Sequence, residues 1–497
     1  MSSDSSETFV VEIPPLTGVH AEPFSFGKMV RQMKFFGPAA VVASLSLGAG
    51  ETIMATGLGS WSEYKLLWLL LLSVLVRGVF VTYLIGRYTA ITGQGIGYRL
   101  VMLPGPRGWL LLAILTAEVG LLSMGLTTIA KPCGNLITYL LFDMLPEGWT
   151  FGLWENIWTT VLMAAAMLFS LLVSYRALER QQIVICGIVV VGTVIAGLLV
   201  QPDLQKLITG VVSFGVMPEV PQWAPTAARD EYVLVLVTIF GYVGGSLSGY
   251  LAYSNWVGLS GWGLNSHKQI NQIRDLSGKS SRVDYLPEDP DQARRMRILL
   301  SSLRWDVGMG AVVLFVVTAA FLTAGAAVLY PRQQAIGNNA WELLTKQAGI
   351  WAEIHDVLVP VYYLAVAAAM WGTLACIPEA ITRVSHSFMC AIWPRFVSFP
   401  RRRLHMLIVG WFFLTSLIWI WTGLTFNLLT QIAAFLTANL GLSVVCICVV
   451  YFNWTLPALY RPRWWMTLGG VLSAIILLLS AAGGAVGLSR KLLVAFS

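Results

Sequence analysis

The chain has 497 residues, 57% of them hydrophobic and only 11% charged, with a mean hydropathy of +0.72. Soluble domains carry about 25% charged residues, so this chain cannot cover its own surface with polar groups and reads as a polytopic membrane protein. The net charge of +7 is scattered over short segments rather than gathered on a basic face, which excludes nucleic acid as a partner and leaves membrane lipid as the chain's surroundings.

Residues 1–35 read as a polar, proline-containing cytoplasmic tail that lacks the charged start and apolar core of a signal peptide. Eleven apolar runs follow, near 36–58, 66–86, 108–130, 154–175, 181–200, 232–257, 305–330, 357–382, 404–424, 427–452 and 464–487. Each is close to the roughly 20 residues that cross a bilayer as a helix. An inside N-terminus puts 23 of the 32 Lys and Arg on the inner face and eight on the outer. The positive-inside rule therefore predicts a cytoplasmic N-terminus and, with an odd number of spans, an outside C-terminus. The expected location is a bacterial inner membrane. Tryptophans such as Trp61, Trp109, Trp305 and Trp464 fall near span ends, as an interfacial aromatic belt.

Span one contains Gly48, Ala49, Gly50 and Glu51 in a run that should cross lipid. A mid-helix glycine costs about 1 kcal/mol against alanine, and a carboxylate at bilayer depth about 2.5–3.5 kcal/mol. Such a segment is a poor continuous helix and a good broken one. Span two carries Arg77, which must snorkel or pair inside the bundle. Span six holds a second glycine cluster, Gly241, Gly244, Gly245 and Gly249, with Ser246 and Ser248. Two interrupted spans at matching positions in two five-helix halves point to an inverted-repeat secondary transporter. The halves run over 36–200 and 232–452, with helix eleven (464–487) added. The glycines of spans five, seven and eleven read as close helix packing. Glu51 either binds substrate or caps the second half-helix, where the helix dipole favours a carboxylate.

The cytoplasmic loop 258–304 is charged in both signs and reads as a solvated connector with a short helix before span seven; its GKSS is not a phosphate-binding loop, because the upstream glycine spacing is missing. Six cysteines form no CxxC pair and mostly sit in apolar runs. The five histidines pair with no other at metal-ligand spacing, and neither HExxH nor GxSxG occurs. An enzyme is not expected, nor a cofactor.

Two stretches, GPAAVVASLSLGAGET and YKLLWLLLLSVLVRGVFVTYLIGRYTAITGQ, resemble the first two spans of the NRAMP family of divalent-metal transporters. Weaker likeness extends to TAEVG in span three, RALERQQ before span five and LLTQIAAFL in span ten. The resemblance implies an all-α membrane protein of the LeuT-type five-plus-five fold with broken helices one and six, moving a cation by alternating access. It also implies which residues replace the family's ligands. The family's Asp-Pro-Gly-Asn falls on Gly48, Ala49, Gly50 and Glu51, so the metal-binding Asp is Gly48. The Ala-x-x-Met-Pro-His of span six falls on Tyr242 to Leu247, with Gly244, Gly245 and Ser246 between. Gln431 is retained from span ten and Glu118 from span three, while the acid one turn earlier is Leu115. The arginines before span nine fall within Arg401, Arg402 and Arg403.

The resemblance thus nominates Gly48, Ala49, Glu51, Tyr242, Gly244, Gly245, Ser246 and Gln431 as the substrate site. Glu51 and Gln431 would be the metal ligands, and Glu51, Glu118 and Arg402 the proton pathway. Oxygen donors without sulfur suit hard ions such as magnesium, calcium or manganese, and magnesium usually keeps several waters. The expected substrate is therefore a divalent cation of harder or hydrated character, with proton coupling weakened. A small organic, cationic solute on the same fold, and a transport-inactive membrane sensor, are the alternatives.

Overall fold

The computed structural model describes residues 10–23, 25–46, 50–141, 150–173, 175–199, 201–245, 247–277, 283–334 and 343–496. Among these residues nine helices are long and apolar enough to cross a membrane. They are Leu67–Thr92, Trp109–Leu140, Phe151–Leu172, Tyr232–Leu259, Pro290–Leu329, Leu358–Ile392, Arg401–Trp421, Phe426–Trp454 and Trp464–Lys491. Span five is the helix Tyr175–Leu199, and span one comprises Pro38–Ser46, Gly50–Met54 and Ala55–Ser62. Each of the eleven expected runs is largely helical over its described residues, with an interruption in span six.

Spans one, two, six and seven pack on one another as one group. Spans three, four, eight and nine form a second group, with spans five and ten bridging between the groups. Span eight, 72% buried over its apolar window, is central, whereas spans four and nine, each 33% buried, turn apolar side chains such as Leu168, Leu172, Leu407 and Leu414 outward. That outward face is what a lipid solvent requires.

Among the described residues, four spans contain a π-helical segment. Gly50–Met54, Val74–Val81, Gly325–Leu329 and Ala434–Gly441 are π-helical. A π-turn shifts the hydrogen-bond ladder by one residue, and such bulges gather at functional sites. Two of them, in spans two and ten, face the interruption of span six described below.

Helix packing through glycine holds at some of the expected positions only. Gly310 lies against Ala39, Gly469 against Phe80 and Gly470 against Leu84, each too close for a Cβ. Gly187, Gly192 and Gly308 have nothing within 4 Å among the described residues, so close packing does not explain them.

The start of the chain is not a free tail over its described part. Val11 and Ile13 are 1% exposed. The Val11 amide donates to the Tyr285 carbonyl at 2.9 Å, and the Ile13 amide to Gln292 Oε1 at 2.8 Å. The loop they dock on is itself fastened. Tyr285 donates to the Thr92 carbonyl at 2.8 Å, Tyr460 to the Pro287 carbonyl at 3.0 Å, and Arg274 Nε to the Gly93 carbonyl at 3.0 Å. Two buried apolar side chains and satisfied backbone groups outweigh the polar composition that made the segment read as free. The expected short helix before span seven is Pro290–Leu299, capped by Asp289 at the Asp291 amide.

Candidate functional site

Span six is interrupted as its glycines require. The first half-helix, Tyr232–Tyr242, ends with Val243 in extended geometry, and the second half begins at Leu247. Gly244 and Gly245 have φ of 104° and 87°, a region that side-chain-bearing residues avoid. A Cβ on Gly244 would also stand 2.9 Å from the Tyr250 hydroxyl. Ending a helix in mid-membrane frees its last carbonyls, which need donors that lipid cannot provide.

Those donors come from spans two and six. Arg77 Nη1 donates to the carbonyls of Phe240 (3.2 Å), Gly241 and Val243 (3.0 Å), and Nη2 donates to Ala438 in the π-helical part of span ten. The Ser73 hydroxyl, one turn earlier, lies 2.9 Å from the Phe240 oxygen and 2.7 Å from that of Val243. Tyr250 donates its hydroxyl to the Gly244 carbonyl. Arg77 is completely buried and lies over the Phe240 ring at 5.9 Å. A guanidinium presents five N–H groups in a fixed fork, which suits a cluster of helix-end carbonyls better than an ammonium would.

The other nominated residues are distributed as follows. Tyr242 contacts Thr128 of span three, hydroxyl to hydroxyl at 3.1 Å. Glu118, 2% exposed on span three, faces Ser248 at the start of the second half-helix. Gly48, Ala49 and Ser246 lie outside the described residues, as does the interruption expected in span one. Glu51 falls in the π-helical Gly50–Met54, and its side chain lies outside the description.

Gln431 is engaged at the far end of the first half-helix, not at the break. Its Nε2 donates to Glu231 Oε2 at 3.0 Å, and its Oε1 accepts from Lys491 Nζ at 3.0 Å. Lys491 and Glu231 form an ion pair of 2.8 Å. Arg402 is exposed. Its neighbour Arg401 approaches Glu379 of span eight at 3.4 Å, and Arg383 pairs with the same carboxylate at 2.8 Å. His405 Nδ1 lies 2.8 Å from the Thr382 hydroxyl and 3.6 Å from Glu379. Among the described residues no ion pair joins Glu118 to Arg401, Arg402 or Arg403, and Arg401 lies beside Glu379 instead.

Glu231, Asp306, Glu379 and Lys491 were not picked out from the sequence. The signal for Asp306 and Glu379 was present, because an acid in or beside an apolar span is a functional or structural site by default. No group of three or more His, Cys, Asp or Glu able to hold a metal occurs among the described residues.

Two cavities lie toward opposite ends of span six. One of about 80 Å³, lined by Met54, Trp61, Thr238, Thr430 and Gln431, lies between spans one, six and ten. A second, of about 530 Å³, is lined by Gln94, Tyr98, Asn255, Arg383, His386 and Arg401 at the opposite end.

Two packed groups of spans, an interrupted sixth helix and cavities on either side define an integral membrane protein with the fold of LeuT-type secondary transporters. The sequence matches the family described as "Natural resistance-associated macrophage protein-like" over residues 39–484. The chain belongs to the Nramp family.

Solved structures agree on the fold. A variant of the Eremococcus coleocola manganese transporter aligns with 99% of this chain and 92% of its own, at 14% identity and a TM-score of 0.60. The same transporter in complex with an aromatic bis-isothiourea substituted compound aligns over 98% and 91%, at 14% identity and a TM-score of 0.58. MhsT in complex with L-phenylalanine aligns over 89% and 98%, at 13% identity and a TM-score of 0.52. No match was found among curated protein sequences.

Proposed function

We propose that this Nramp-family transporter carries a divalent cation that keeps much of its water shell, by alternating access at the span-six break. The observation that carries this reading is the occupancy of the break's carbonyls. Phe240, Gly241 and Val243 are held by Arg77, and Gly244 by Tyr250. Oxygen ligands that a dehydrated ion would need are thereby already bonded. The acid that the family resemblance assigns to the site is Glu51, and water would supply the remaining donors. One carboxylate with water suits a hard ion such as magnesium or manganese and gives a soft ion no thioether or imidazole. Membership of a family that includes a manganese transporter supports a metal over an organic solute.

With the N-terminus in the cytoplasm, the 530 Å³ cavity faces inward and the Glu231–Lys491–Gln431 cluster closes the outer side. Glu118 is the retained acid through which coupling to protons would run.

Calorimetric titration of the purified protein with manganese, magnesium and calcium tests the reading. Expected is binding of magnesium and manganese that weakens at least about tenfold in Glu51→Ala, the equivalent of 1.4 kcal/mol. A flat trace for all three ions would point to the organic solute instead.

A further inference from the structure

We infer that the span-six break is itself a cation site, and that its resident cation is the guanidinium of Arg77. The carbonyls of Phe240, Gly241 and Val243 end the first half-helix, and that of Ala438 comes from a π-helical segment where the ladder is shifted. Four carbonyl oxygens converging from two helices form a cradle of partial negative charge, strengthened by the negative end of a helix dipole. In a broken-helix transporter such unwound carbonyls are where a transported or coupling cation is held. Here a charge from span two fills the cradle and does not leave.

The surrounding residues are shaped to this occupant. The Gly244 backbone packs beside Arg77, where a Cβ would stand in van der Waals contact, 3.7 Å from its Cβ and Cδ. Ser73, one turn earlier on the same helix, shares two of the carbonyls. The Phe240 ring covers the guanidinium carbon. A charge buried this deeply needs acceptors, and the four carbonyls meet its two terminal nitrogens with charge-assisted bonds.

Two consequences follow. The break keeps its interrupted shape with no ion taken from solution. A dehydrated cation is excluded from the carbonyls by occupancy and by like charge, which makes Arg77 a specificity-determining residue. The inference does not depend on which solute is transported.

Chemical rescue tests it. Full-length protein in detergent is unfolded thermally as wild type, Arg77→Ala and Arg77→Lys, with guanidinium chloride up to about 10 mM, a range suited to a millimolar site. Sodium chloride at equal concentration is the control. The Arg77→Ala protein is expected to unfold at lower temperature and to regain about 2 °C or more, saturably, with guanidinium but not with sodium. Wild type and Arg77→Lys are expected not to respond.

An Arg77→Ala protein that responds equally to both salts, or to neither, overturns the inference. Where that variant aggregates, it is solubilised with guanidinium present throughout. Recovery of folded protein only in guanidinium supports a resident cation. Aggregation with and without guanidinium overturns it. The readout uses no transported substrate, so it stands or falls separately from the choice of metal.

Discussion

Asp306→Ala is expected to lower the stability of the folded protein by about 3 kcal/mol or more, seen as a drop of several degrees in the thermal midpoint in detergent. Asp306 opens span seven and is fully buried. One oxygen accepts from the Gly37 amide at 2.9 Å, and both accept from the Ala39 amide, at 3.1 and 2.9 Å. The second oxygen also accepts from the Tyr253 hydroxyl at 2.9 Å. The carboxylate thus caps the first helix of span one, Pro38–Ser46, and ties it to the second half of span six. A carboxylate at a helix N-terminus gains from the dipole as well as from its bonds. Alanine leaves two amides and a phenol without this acceptor in a site closed to water. Asn keeps one acceptor oxygen and should lose less, and Tyr253→Phe removes a single bond and should cost about 1 kcal/mol. An Asp306→Ala midpoint equal to wild type would mean that span one is held by other contacts.

The second large effect is expected at Gly59. A Cβ there would stand 2.1 Å from the Leu322 carbonyl oxygen and 2.9 Å from the Ala326 amide nitrogen. The reciprocal contact is at Gly325, where a Cβ would stand 2.2 Å from the Thr56 carbonyl oxygen. Spans one and seven therefore meet backbone to backbone, and no side-chain rotation relieves the clash. Gly59→Ala must push two helices apart and should destabilise by roughly 2–3 kcal/mol. Gly187→Ala, on an exposed helix face with nothing within 4 Å among the described residues, is the matched control. It should be neutral or stabilising by up to about 1 kcal/mol, because alanine is the better helix former. Equal midpoints for the two variants would contradict the close approach.

Much of this architecture was legible in the sequence. Uninterrupted apolar runs located the spans, because lipid admits only helices with their backbone bonds made internally. The span-six break was legible from Gly244 and Gly245, since paired glycines are costly in a helix and serve where φ is positive. Its completion was not. Arg77 stood out as a charge inside span two, but its acceptors are main-chain carbonyls 163 to 361 residues away, and carbonyls leave no mark in a sequence. Gln431 shows partners that the sequence did not mark. Resemblance assigned it to the substrate site, whereas its amide is taken by Glu231 and by Lys491, which lies beyond the expected end of helix eleven. The docking of Val11 and Ile13 was hidden for a similar reason. Two apolar residues in a polar segment make no helical or strand period, and their partners lie in a loop nearly 280 residues on.

Ion flux into proteoliposomes of the purified protein is the most direct measurement of whether this chain moves a hydrated divalent cation. The predicted result is saturable uptake of magnesium and manganese, absent from protein-free vesicles and strongly reduced by Glu51→Ala. Protein that is folded and reconstituted yet passes neither ion, while a small organic cation accumulates, would contradict it.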